Sequence, residues 1–492
     1  MDRRAFLKAA GGGLCAAPLA RLVEAAEPMQ AHDAPVSSAQ ADHVLRIGSG
    51  LVEVGPQRFL SMTTYNGSFP GPLLRFKEGR SVTIDVHNDT DTPEQLHWHG
   101  QQLPVSVDGA AEEGTPYIPA HGMRRVVFTP RPAGLRFYHT HLRAGGDLSL
   151  GQYSGQVGPV YIEPERQPGA YDREVFLTLK EFEPFFSQGG DMAMDILSPS
   201  APDPALKRQG ETAMQASLAK GMKKGFEVGY RIFTINGRQL GFGEPVRVKR
   251  GERVLFHVLN GSATENRSLA LPGHTFKVLA LDGNPVPRPT EVPVLWLGTA
   301  ERISVLVEMN HPGVWVMGDL ANDARRGGMG VVIEYAGAKG KPAWHKPSPY
   351  RWDYRRFADP GKTAPPPDRT IDLLFAKDNA AAQGFNRWTI NGKAFDMDRM
   401  TVDWRLERGK RYRLRMRNAS DDLHPMHLHR HTFELTNIAG HPTAGVMKDV
   451  AMLGGYQTME ADFTADQPGL TLFHCHMQLH MDFGFMGLFE TT

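Results

Sequence analysis

Cysteine is nearly absent from this chain. Of 492 residues only Cys15 and Cys475 carry a thiol, and Cys15 stands in an N-terminal stretch with the marks of a removable segment. One remaining thiol excludes an internal disulfide and leaves Cys475 three roles: inert core residue, reactive group or metal ligand. Net charge is nearly absent too: 55 Lys and Arg against 54 Asp and Glu give +1 with no long run of either sign. That balance argues against nucleic acid or an acidic polymer as partner and leaves small molecules or ions. No uninterrupted apolar stretch is long enough to span a bilayer, so no stable membrane insertion is expected. What the chain has instead is 52 Gly and 36 Pro, the composition of many short strands joined by tight turns. Its length calls for several domains.

The N-terminus reads "MDRRAFLKAAGGGLCAAPLARLVEA". Arg3 and Arg4 precede Phe6, Leu7 and Lys8, a Gly/Ala-rich stretch follows, and Val23 to Ala25 forms a small-residue cleavage pattern. Residues 1–25 resemble a twin-arginine signal peptide, which implies the Tat export machinery as a partner and a periplasmic or secreted location. Leu14 before Cys15 is too bulky for a lipobox.

Three segments share one pattern: "YNGSFPGPLLRFKEGRSVTIDVHN", "INGRQLGFGEPVRVKRGERVLFHVLN" and "INGKAFDMDRMTVDWRLERGKRYRLRMRN". In each, a glycine (Gly79, Gly251, Gly409) lies nine residues before a closing asparagine (Asn88, Asn260, Asn418). The alternation between them is that of a half-buried strand, and Asn-Gly marks a turn. A repeat of this length predicts three copies of one all-β domain rather than a solenoid. The limits follow: 42–164, 171–335 and 368–492, with the Pro-rich stretch 336–367 as a linker into the third.

Aligned on that asparagine, the first copy carries His97 and His99 where the third carries His427 and His429 and the second has Leu269 and Leu271. Near the end of each copy, Gly134 leads to His139 and His141, Gly469 to His474 and His476, and Gly313 to Gly318 and Leu320. Residues i and i+2 project from one face of a strand, so each His-x-His presents two imidazoles side by side. Burying eight imidazoles without ligands or partners would be costly, and four phased pairs confined to two copies of three point to metal. His424, Cys475 and His480 add two imidazoles and a thiolate, the donor set of a trigonal copper centre. Structural zinc would want four ligands and spaced cysteine pairs.

The motifs "HWHG", "YHTH", "HPMHLHRH" and "HCHMQLHMDFGF", with the threefold repeat, resemble the multicopper oxidases, especially three-domain laccase-like bacterial enzymes. The resemblance covers essentially the whole chain after the expected signal peptide at residues 1–25. It implies three cupredoxin-like Greek-key β-barrels and four copper ions. His424, Cys475 and His480 match the type 1 ligands, and His97 with His427 the type 2 pair. His99, His139 and His476 match one type 3 copper, and His141, His429 and His474 the other. In "HCH" the cysteine faces one way and both histidines the other, so one strand joins the two sites. Asp108 matches an acid that relays protons in relatives.

The departures from the family pattern are as informative as the matches. Phe485 occupies the type 1 axial position, which predicts a raised reduction potential unless Met486 approaches instead. Met481 stands where some relatives have a glutamate, with Asp482 next. Arg430 replaces a common glycine and is expected on the face opposite the ligands, and His431 is expected to support them. His121, His257, His274, His311 and His441 lack paired spacing and are read as structural or surface residues. The implied activity is laccase-like: one-electron oxidation of phenols or aromatic amines coupled to reduction of dioxygen to water. A metallo-oxidase of Cu(I), Fe(II) or Mn(II) is the alternative, disfavoured by scattered methionines whose densest short motif in the second copy is Met192 and Met194. Asp421 and Asp422, just before His424, read first as a solvated loop and second as acids that would steer a cationic donor. A copper-free scaffold is the third reading.

Overall fold

The computed structural model describes residues 40–165, 169–187, 196–199 and 201–492. The residue 1–25 segment, Cys15, Met192 and Met194 lie outside them. Three times the chain repeats one construction. Each copy opens with an aspartate whose amide and carboxylate both bond the start of a neighbouring strand: Asp42 to Thr83, Asp172 to Arg253, Asp368 to Arg411. The opening strand then runs parallel to the strand that closes on the repeat asparagine, pairing Ile47 with Asn88, Leu179 with Asn260 and Phe375 with Asn418.

The repeated Asn-Gly pairs explain themselves. Both residues have positive φ in every copy: 53° and 69° at Asn66 and Gly67, 52° and 71° at Asn236 and Gly237, 52° and 79° at Asn391 and Gly392. That is the tight turn Asn and Gly tolerate best. The asparagine side chain then brackets the opening strand. Asn66 Oδ1 accepts from the Arg46 amide at 2.6 Å and its Nδ2 donates to the Val44 carbonyl at 3.1 Å. Asn236 does the same with Thr178 and Phe176, and Asn391 with Leu374 and Asp372. The closing asparagines, all fully buried, donate to loop carbonyls: Asn88 to Thr92, Ile118 and Pro119, Asn260 to Glu265 and Leu297, Asn418 to Asp422 and Gly454. A buried amide left unpaired costs about 1–3 kcal/mol. These bonds therefore fix the loop that leads into the His97, Leu269 and His427 positions.

The strands form the expected all-β architecture of three cupredoxin-like barrels. The first copy pairs a sheet of Arg58–Tyr65, His43–Gly55, Val82–Asn88 and Met123–Phe128 with one of Leu74–Lys77, Val157–Glu163, Gly134–His139 and His97–His99. Leu45, Ile47, Ile84, Val86, Trp98 and Tyr138 fill the space between. The third copy has a six-stranded sheet and a five-stranded one. The latter holds Gly469–Cys475 between Met486–Thr491 and His424–Leu428. The stretch 336–367 is anchored rather than loose: Trp352, Tyr354 and Phe357 are buried in the main core.

The longest helix among the described residues, Pro204–Ala219, was absent from the all-β expectation. Asp203 caps it, accepting from the amides of Ala205 and Leu206 at 2.7 and 3.2 Å, with Pro204 in its first turn. Gly210 lets it press against the Ala419 carbonyl of the third copy. Among the described residues no helix is long and apolar enough to cross a membrane.

Candidate metal centre

The four His-x-His pairs sit at short strands: His97 and His99 lie within one, while His139, His427 and His474 lie near the ends of theirs and His141, His429 and His476 just beyond. His97–His99 runs antiparallel to Gly134–His139 with His97 opposite His139, and in the third copy His427 lies opposite His474 and Met426 opposite Cys475. The two arrays face each other. The rings of His97 and His429 stack at 4.1 Å between centroids, and those of His99 and His427 at 3.8 Å. None of the eight is more than 1% exposed.

Six of these rings commit one nitrogen to a protein hydrogen-bond acceptor, and a seventh, His141, has its Nδ1 beside the Glu112 carboxylate. Nδ1 of His97, His139, His427 and His474 donates to the carbonyls of Asp108 (2.9 Å), Thr140 (2.7 Å), Asp449 (2.7 Å) and Cys475 (2.9 Å). Nδ1 of His429 bonds Asp108 Oδ2 at 3.0 Å, Nε2 of His99 bonds Asp449 Oδ1 at 3.1 Å, and Nδ1 of His141 lies 3.3 Å from Glu112. The nitrogens left over converge. Those of His97, His99, His139, His141 and His427, and both of His476, have no hydrogen-bond partner, while Nε2 of His429 and Nε2 of His474 face each other at 3.0 Å. Burial pushes His99, His139, His427, His429, His474 and His476 well below the usual imidazole range, so each is neutral and offers a lone pair. Neutral inward nitrogens backed by outward hydrogen bonds are the donor arrangement of a metal cluster.

The donor atoms of His141, His429 and His474 lie within 4.8 Å of one another, as do those of His97, His427 and His429 and those of His97, His99 and His139. His476 completes the floor, with its ring 5.0 Å from His99 and 5.1 Å from His139. The expected second site is equally compact. Cys475 Sγ lies 3.7 Å from His424 Nδ1 and 3.5 Å from His480 Nδ1. Burial pushes the thiol up and His480 down to about 3. A thiol that burial keeps protonated loses its proton to solvent readily only when a cation binds the sulfur in its place, so this set also fits a metal.

Phe485 closes the sulfur site, its ring 4.8 Å from His424 and packed on Phe375. Met486 points elsewhere, into a cluster with Leu472, Met481 and Leu488. Arg430 has φ +58°, in the left-handed region that glycine enters most easily. As expected it turns from the ligands, donating to the carbonyls of Leu103, Pro468 and Leu470 across the two copies. His431 Nδ1 donates to the His429 carbonyl at 3.0 Å. Asp482 accepts from the amides of Ala144 and Gly145 and so latches the third copy to the first. Of the unpaired histidines, His121 pairs with Asp91 at the surface, His257 with Ser304 and His274 with Tyr335.

Four participants escaped the sequence reading. Glu112 and Glu113 stand behind His141 and His429, and Asp449 behind His99 and His427. Trp388 lies 4.2 Å from the His480 ring and 4.9 Å from that of His424. Adjacent carboxylates in "AAEEG" were the one available hint. Lys377 also changes the reading of Asp421 and Asp422, since its Nζ lies 2.6 and 2.7 Å from their carboxylates.

Three family models described as multicopper oxidase match residues 51–167, 208–336 and 364–492. The chain is 28% identical over 478 residues to the multicopper oxidase MmcO of Mycobacterium tuberculosis, covering 94% of this chain and 89% of that protein. It is 24% identical to Laccase-1 of Agaricus bisporus, covering 85% and 84%. Among solved structures, Fet3p, a multicopper oxidase that functions in iron import, superposes with a TM-score of 0.73 at 18% identity, covering 91% of this chain and 90% of that one.

Proposed function

The chain belongs to the multicopper oxidase family and is a copper-dependent oxidoreductase with dioxygen as acceptor; from that premise we propose a laccase-like enzyme that oxidises phenols or aromatic amines. The observation that carries the reading is the double site: eight buried imidazoles with converging free nitrogens, joined through one strand to a buried His2Cys set. In this reading His424, Cys475 and His480 hold type 1 copper, and His97 and His427 hold type 2. His99, His139 and His476 hold one type 3 ion, and His141, His429 and His474 the other. When bound, the first site accepts one electron at a time from the donor, and the second reduces dioxygen by four electrons to water.

The protein's own residues do the rest. Cys475 places the two sites one residue apart along the chain, and its carbonyl holds His474 through Nδ1. Asp108 Oδ2 lies 3.0 Å from Nδ1 of both His97 and His429, and its Oδ1 has no partner. Burial works against its charge, yet His97 and Arg430 hold Asp108 below the usual carboxylate range. Burial and the charge of Asp108 push Glu113 well above it. One carboxylate is thus biased toward its ionised form beside a second biased toward its protonated form, an arrangement suited to proton delivery at Asp108.

The clamping of Asp421 and Asp422 by Lys377 supports organic donors over metal ions, because both acids before His424 already engage one cation. The N-terminal segment supports Tat export to the periplasm or beyond. The three family-matched ranges support domains at 42–164, 171–335 and 368–492, the middle one without copper. The test is oxygen uptake by copper-loaded protein offered a phenol, then Cu(I) or Fe(II), with Cys475→Ser as control. Cys475-dependent phenol turnover is expected to be the faster, with the control more than about 100-fold slower, since outer-shell changes alone cost 10–100-fold. Faster metal-ion turnover would overturn the donor assignment, and silence with both would revive the scaffold.

A further inference from the structure

Six charged side chains from all three copies meet in one buried junction. Arg136 comes from the first, Asp282, Glu301 and Arg302 from the middle, and Lys448 and Asp449 from the third; none is more than 1% exposed. Three positive charges meet three negative ones, so the junction is neutral as a whole. Asp449 sits at its centre. The Arg302 guanidinium grips both its carboxylate oxygens at 2.6 Å, and Arg136 adds a third bond at 3.1 Å. Asp282 Oδ2 accepts from the amides of Asp449 and Val450 at 3.3 and 3.1 Å, and Lys448 Nζ lies 2.9 Å from Asp282 and 2.9 Å from Glu301.

Asp449 then touches both halves of the histidine site. Its Oδ1 lies 3.1 Å from His99 Nε2, and its carbonyl accepts from His427 Nδ1 at 2.7 Å. Those two contacts leave Nδ1 of His99 and Nε2 of His427 as the free nitrogens, in rings stacked 3.8 Å apart. Gly100, directly after His99, makes room for the pair: a Cβ there would meet Arg302 Nη2 and the Asp449 carboxylate. Buried ion pairs are poor sources of net stability, because desolvation offsets their attraction. What a forked guanidinium does supply is a fixed carboxylate orientation.

We propose that Arg302 and Asp282, from the copy that has no ligands of its own, are positioning residues for the eight-histidine site. By fixing Asp449 they decide which nitrogen of His99 and of His427 is presented inward. The middle copy thus contributes to copper binding without touching copper. This inference rests on the copper reading above.

The test compares retention of the two kinds of copper. Wild-type protein is reconstituted with copper, its type 1 signal followed by blue absorbance and the histidine-held copper by its type 2 electron paramagnetic resonance and total metal. Each is then titrated with chelator. Arg302→Lys keeps the charge and loses the fork. It is expected to release the histidine-held copper at about 10-fold lower chelator concentration, with blue copper retained as in wild type. Tyr354→Phe, which removes a hydroxyl bonded to Glu301 at 2.5 Å, disturbs the same junction and is expected to leave that ratio unchanged. An unchanged ratio in Arg302→Lys, or both coppers lost in parallel, would overturn the positioning role. If Arg302→Lys yields no folded protein, Asp449→Asn is titrated in its place with the same expectation. A wild type that takes up no copper at the histidines would sink the underlying reading instead, before any variant is compared.

Discussion

The middle copy and its two siblings share a backbone and differ in what they hang on it. Six, nine and eleven residues after the closing asparagine the first copy has Glu94, His97 and His99, the middle Asn266, Leu269 and Leu271, and the third His424, His427 and His429. The turn bracket and the buried asparagine are the same in all three. In the middle copy Leu269 and Leu271 simply join the core with Leu295 and Leu297. The barrel therefore accepts ligands, hydrocarbon or a carboxylate at the same positions, and function resides in the side chains rather than the fold.

Copper removal should separate the copies most. A site loaded at 1,000 times its dissociation constant stabilises the folded state by about 4 kcal/mol. Chelation is expected to speed hydrogen exchange in His97–His99 and Gly469–Cys475, which belong to the sites, and to leave the middle strand Arg253–Asn260 nearly unchanged. Uniform acceleration in all three would mean that the copies unfold as one unit.

Giving the middle copy its siblings' histidines attacks the comparison directly. Leu269→His with Leu271→His replaces fully packed side chains by imidazoles that have no acceptor behind them. A loss of about 2–4 kcal/mol in urea unfolding is expected, with no added copper per chain. An added, tightly held copper would show that the ligand pair alone makes a site and that the supporting carboxylates are dispensable.

Glu94, which occupies the place of His424, gives a smaller and pH-dependent effect. Burial pushes it up to about 7, with the bond from Gln156 opposing. The raised folded value means that stability is greatest below the unfolded value near 4.3 and falls as pH rises through 7. Glu94→Gln should therefore gain about 1–3 kcal/mol over wild type at pH 8 and nothing at pH 4, read as melting temperature at the two pH values. An equal gain at both would show that charge is not the cause.

How much of this was legible follows from which signals are local. His97, His99, His139, His141, His427, His429, His474 and His476 announced themselves through period-two spacing repeated in two copies and missing from a third. Asp449 did not, because it meets His99 across 350 residues of sequence, and nothing near either residue encodes the other. Glu112 and Glu113 come from a single 3-10 turn too short to show a period, and Trp388 lies on a strand where an aromatic looks like any core residue. The helix Pro204–Ala219 carried a cap and an N-terminal proline, yet the all-β pattern around it overshadowed both. Local period and turn chemistry were readable, and tertiary partnership was not.

Phe485 and Met486 are adjacent, and the smallest expected effect separates them. Phe485 packs against His424, Phe375 and Trp388, whereas Met486 belongs to the apolar cluster with Leu472 and Leu488 on the other side of the strand. Phe485→Met places a thioether beside the His2Cys set at a packing cost of under about 1.5 kcal/mol. An axial thioether favours the oxidised metal, so the midpoint of the blue band in a redox titration should fall. Met486→Leu should leave that midpoint where it is, because its side chain points away from Cys475. If Met486→Leu shifts the midpoint and Phe485→Met does not, the axial neighbour is Met486, and the raised potential expected of this chain goes with it.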